Sequence, residues 1–161
     1  MNCYGAWDPE SRWSIETIGY DQYLDAVIRS IELLNGRIEA FYISGGMYDS
    51  RGRTECETVK LELEKRLSEK NIKLDINTDE ESITSTMIMR KFLETWKKEY
   101  AKYEPIIIVD KVRYEVNKFT FEYYCKEFKI TSLKAIDTII PFERLDNHPN
   151  GTAEKQAEKL R

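Results

Sequence analysis

The chain has 161 residues with a formal net charge of −4, 34% charged side chains and 12% aromatics. That length suits one domain with a substantial core, and the composition excludes a disordered or collagen-like chain. A negative balance argues against nonspecific nucleic-acid binding, three distant cysteines (Cys3, Cys56, Cys125) against a disulfide framework, and one histidine against a His-based metal site.

The N-terminus lacks the basic and apolar regions of a signal peptide, and no apolar run reaches the roughly 18–20 residues of a membrane span, so the expectation is a cytoplasmic protein without membrane contact. Residues 1–19 carry Tyr4, Trp7 and Trp13 among turn formers, which suggests a cover packed on the body. From Tyr20 onward, Leu24, Val27, Ile28, Ile31 and Leu34 recur at helical spacing, and Asn35-Gly36 supplies a C-cap.

A short strand over 39–43 then runs into Ser44-Gly45-Gly46 and a polar loop. Thr54 caps a helix over 54–69 whose Cys56, Val59, Leu63 and Leu67 share one face. Alternation over 72–76 reads as a second strand, and the polar stretch 77–86 opens a helix marked by Met89, Phe92, Leu93, Trp96 and Tyr100. Residues 106–109, Ile-Ile-Ile-Val, form an apolar run suited to a central parallel strand covered on both faces. Asp110 to Arg113 is a third strand-to-helix junction, and Val116, Phe119, Tyr123 and Phe128 mark the helix beyond it. A strand over 130–140 follows, and residues 147–161 make a turn around His148 and a short charged helix.

Alternating strands and helices with short connections predict a single α/β domain, a three-layer Rossmann-like fold with about four or five mainly parallel strands. In such a sheet the ligand crevice lies beyond the carboxyl ends of the strands. Ser44, Gly45 and Gly46 would cradle an anion through bare N–H groups, or be glycines required by a tight turn. Glu55 and Asp110 are the candidate bases or cation ligands. Asp79, Thr84, Thr86 and Arg113 are the further candidate ligand contacts, with helix capping the simpler role of Thr84. Cys56 sits at a helix start but on its apolar stripe, the mark of an inert thiol.

The strand, Ser44-Gly45-Gly46, the start Thr54-Glu55-Cys56, the segment Ile83-Thr84-Ser85-Thr86 and the run ending in Asp110 together resemble the SanA/YdcF/ElyC-like family of mostly uncharacterised bacterial proteins. The resemblance spans roughly residues 20–129 and implies a Rossmann-like domain. Against that pattern, Ile88 and Met89 replace an acidic and amide pair, Tyr114 a histidine and Asn117 an arginine. The family's long apolar first strand has at most residues 1–5 as its counterpart. Two functions stand: a site for a small nucleotide-like or phosphate-bearing anion, with transfer or hydrolysis as its chemistry, or a non-catalytic module that binds a partner protein. No cofactor is specified, and self-association is a further partner to test.

Overall fold

The computed structural model describes residues 15–34, 37–48, 51–110, 114–131 and 134–138. Among these, four α-helices and four short strands alternate: α1 (Ile15–Leu34), β1 (Phe41–Ser44), α2 (Glu55–Glu69), β2 (Ile76–Asp79), α3 (Ser85–Thr95), β3 (Ile106–Asp110), α4 (Tyr114–Phe128) and β4 (Lys134–Thr138). The expected cover over 1–19 lies outside the described residues up to Ser14, as do His148 and the C-terminal helix.

Strands pair in parallel, as helix-separated strands should. β1 lies beside β2 with Phe41 opposite Ile76 and Ser44 opposite Asp79, and β3 lies beside β4 with Ile106 opposite Lys134. These are two pairs; β1 and β3 are not hydrogen-bonded neighbours. The chain is therefore α/β with a small parallel sheet.

The second strand departs from the pattern reading. Alternation placed it at 72–76, but the ladder runs from Ile76 to Asp79. Residues 72 to 75 are irregular, and Ile72 and Leu74 still pack against the core. The pairing decides this register: Phe41 donates its N–H to the Asp75 carbonyl, so β1 meets the polar segment Ile-Asn-Thr-Asp. Tertiary pairing overrides the apolar alternation. The consequence is functional, because Asp79 becomes the last residue of a strand opposite Ser44.

Two apolar clusters hold these elements. The first joins Leu24, Val27, Ile28 and Ile31 of α1 to Ile43, to Val59, Leu63 and Leu67 of α2, and to Ile108. The second joins Met89 and Leu93 of α3 to Ile107, Val109, Phe121 and Cys125. Successive residues of β3 thus face different clusters, which is the period-two geometry of a strand covered on both sides.

The buried face of α4 matches the expected set only in part: Phe128 packs half-buried against the second cluster and Val116 is half-buried. Its buried residues are Asn117, Phe121 and Cys125, whereas Phe119 and Tyr123 are 55% and 58% exposed. The buried trio follows i, i+4, i+8 as well as the expected set does; a polar Asn117 in the core concealed it.

α3 does not end as an α-helix. Its last turn widens into a π-helical turn, Trp96–Tyr100.

Candidate functional site

The β1–α2 connection builds the first wall of the strand-end edge. Tyr48 pairs with Thr54 in an antiparallel bridge, and Glu55 donates its N–H to the Met47 carbonyl. Gly52 takes a φ of 74° in this loop, a left-handed backbone conformation that glycine adopts without a Cβ clash. Thr54 then caps α2 with a reciprocal capping box: its hydroxyl accepts from the Glu57 N–H, and the Glu57 carboxylate accepts from the Thr54 N–H.

Ser44 and Asp79, at the ends of neighbouring strands, meet directly. The Ser44 hydroxyl donates to Asp79 Oδ2 at 2.6 Å, and both residues are buried. Asp79 Oδ1 accepts from the N–H groups of Glu81 and Ser82 at 3.2 and 3.3 Å. The Lys91 ammonium lies 3.5 Å from the same oxygen and also pairs with Glu81. Burial on its own would raise the Asp79 pKa. The hydrogen bonds from Ser44, Ser82 and the Glu81 N–H, together with Lys91, outweigh that and hold the carboxyl below its ordinary value. Asp79 works as the clasp of the β2–α3 loop.

The glycines are explained by close approach. Gly45 gives its N–H to the Asp79 carbonyl and Gly46 to the Ser82 carbonyl. A Cβ on Gly45 would come within 2.5 Å of the Glu55 side chain, and one on Gly46 within 2.5 Å of the Glu80 carbonyl oxygen. Of the two roles open to this pair, the tight-turn role is visible and the N–H groups expected to cradle an anion are committed to the backbone.

Thr84 is the N-cap of α3, accepting from the Met87 N–H, and Thr86 is exposed in the first turn. Glu55 is 4% exposed and packs against Gly45. Structure thus brings Ser44, Gly45, Gly46, Glu55 and Asp79 together, with Thr84 heading the helix that follows β2. Asp110 ends β3, in the other strand pair; its side chain and Arg113 lie outside the described residues. Sequence reasoning missed Ser82 and Lys91. The spacing Asp79-x-x-Ser82 is a turn signal that would have found the first; nothing local points to the second.

Cys56 is fully buried and its thiol pKa is pushed up, chiefly by burial; its sulfur lies 3.4 Å from the Thr54 hydroxyl. That is an inert thiol at neutral pH. Among the described residues no group of three or more His, Cys, Asp or Glu side chains could hold a metal ion. No helix among them is long and apolar enough to cross a membrane.

The same edge turns apolar groups outward. Met47, Tyr48, Ile83 and Met87 are between 46% and 68% exposed. Gly46 and Ser82, joined by their backbone hydrogen bond, bring the Met47 and Ile83 segments side by side.

A cavity of about 540 Å³ lies elsewhere, bounded by β1 and its approach, by residues 105–109 and by α3 with its π-helical turn. Ile88, Met89 and Asn117 all line it. Tyr114 packs against the second cluster.

Comparison with protein-family models, curated proteins and solved structures found no match to this chain.

Proposed function

We propose that this chain is a non-catalytic α/β module that binds a partner protein, with its two strand pairs as parts of one Rossmann-like, three-layer arrangement of the SanA/YdcF/ElyC-like kind. Two features favour the layered arrangement: β3 faces both clusters, and Ile108 packs with residues of β1 and β2.

The observation that carries the functional reading is the inversion of the strand-end edge. Its polar groups (Ser44, Asp79 and the glycine N–H groups) bond to one another or to the backbone, while Met47, Ile83 and Met87 are exposed. A ligand site needs the reverse, with convergent polar groups left to the ligand. Exposed apolar side chains rimmed by charge suit a protein surface.

A second reading keeps the small anionic ligand. Glu55 favours it: this carboxyl is 4% exposed at the strand-to-helix junction, beside the Gly45 turn.

Thermal denaturation in the presence of nucleotides, S-adenosylmethionine, sugar phosphates and inorganic phosphate, with and without magnesium, separates the two. A ligand at a hundred times its dissociation constant would add about 2.7 kcal/mol of stability. The module reading expects no shift on folded protein. A shift abolished by Glu55→Gln would replace it with the anion site.

A further inference from the structure

The cavity between β1 and β3 has a wall unlike the rest of the molecule. Tyr42, Phe92, Trp96 and Tyr100 all line it, the last three at i, i+4 and i+8. In an α-helix such residues drift steadily around the axis. The π-helical turn from Trp96 to Tyr100 winds more slowly and so keeps Trp96 and Tyr100 closer to one direction. Wide turns of this kind are frequent at functional sites. The rings of Tyr42 and Phe92 meet at 5.6 Å with a tilt of 50°.

The polar tips of this wall are already committed. Trp96 donates its indole N–H to the Tyr103 carbonyl at 2.9 Å. The Tyr42 hydroxyl hydrogen-bonds Thr95, and burial, followed by the charge of Asp79, pushes that phenol up to about 12, so it stays protonated at any physiological pH. Beside the ring and aliphatic surface, the amide of Asn77, which reaches Tyr100 only at 3.5 Å, faces an occupant. No lysine is among the residues lining the cavity, and Arg37 gives its Nε–H to the Leu34 carbonyl. Two carboxylates, Glu39 and Glu104, line the cavity alongside that single guanidinium, so the lining disfavours an anion.

We infer that this cavity is a binding site for an uncharged, planar aromatic small molecule, held by stacking and edge contacts with Tyr42, Phe92, Trp96 and Tyr100 and oriented by the Asn77 amide. A volume of about 540 Å³ is that of sites which enclose a small ligand. Aromatic pairs add specific geometry to the burial of area, which favours a flat occupant over a branched aliphatic one. The inference goes beyond the partner-binding role and does not lean on it. Failure of the cavity site leaves the inverted strand-end edge unchanged, and a phosphate hit at Glu55 leaves the cavity unchanged.

The test is a fluorescence titration of the intact chain with N-phenyl-1-naphthylamine, an uncharged aromatic probe that brightens in apolar surroundings. Wild type binds one probe saturably. Met89→Trp and Asn77→Phe, which fill the cavity from α3 and from β2, weaken binding at least tenfold while retaining a cooperative melt. Leu61→Ala, on the exposed face of α2, binds like wild type. Absence of saturable binding by wild type, or wild-type affinity in either folded filled variant, would overturn the assignment. Hydrogen exchange of wild type with and without the probe gives an answer that needs no variant. Protection confined to the lining segments, residues 37–42, 77, 88–100 and 103–109, supports the site, and protection elsewhere refutes it.

Discussion

Replacing Ser44 by alanine removes one charge-assisted hydrogen bond, 2.6 Å long, to a carboxylate that is 3% exposed. Bonds of this kind contribute about 1.5–3 kcal/mol, so a loss near 2 kcal/mol is expected, or about 4–8 °C in melting temperature for a domain of this size. Asp79→Ala costs about 3 kcal/mol or more, because Ser44 and the N–H groups of Glu81 and Ser82 lose their acceptor together. Urea unfolding of wild type, both single variants and the double variant closes a cycle whose coupling should be about 1.5–3 kcal/mol. The pH dependence fixes the cause. Asp79 has its folded pKa depressed, so its contribution is fully present above the unfolded value of about 3.9 and is lost as the pH falls through the lower folded value. The gap between wild type and Asp79→Asn should therefore be constant from pH 7 to 5 and narrow below about pH 4. A coupling under about 0.5 kcal/mol, or a gap that widens on acidification, would refute the clasp.

Gly46→Ala should destabilise by about 1–3 kcal/mol, the usual cost of forcing atoms into a packed site, because the Glu80 backbone cannot swing aside; urea midpoints measure it. A neutral or stabilising result, as alanine gives at unstrained positions, would show that the glycine is there for something other than close packing. In a Cys3→Ser background, Cys56 and Cys125 should react with a disulfide reagent at pH 8 at least a hundredfold more slowly than in urea. Both are buried, the Cys56 thiol is pushed up and that of Cys125 is pushed up to about 12 by burial and by Glu122. Fast native labelling of either would contradict the packing of its cluster.

The sequence by itself determined the α/β order, the buried faces of α1 and α2, the Thr54 and Thr84 caps and the double-sided burial of β3. Each is local: a helical stripe needs only its own spacing, a cap only the next three residues, and an unbroken run of isoleucine and valine only its own bulk. The proximity of Ser44-Gly45-Gly46 to Asp79 also followed, since parallel strands joined by a helix end on the same side. Tertiary structure decided what those groups do. The register of β2 depends on a partner strand dozens of residues away, and a four-residue slip turned Asp79 from a loop carboxylate into a buried acceptor for Ser44. Likewise, α4 chose its Asn117, Phe121 and Cys125 face by what it met, and the cavity beside Trp96 exists only because strands distant in the chain come to flank one helix. A residue type and its spacing state what chemistry is possible; the partner that satisfies each polar group comes from chain distant in sequence, and here most of those partners are the protein's own.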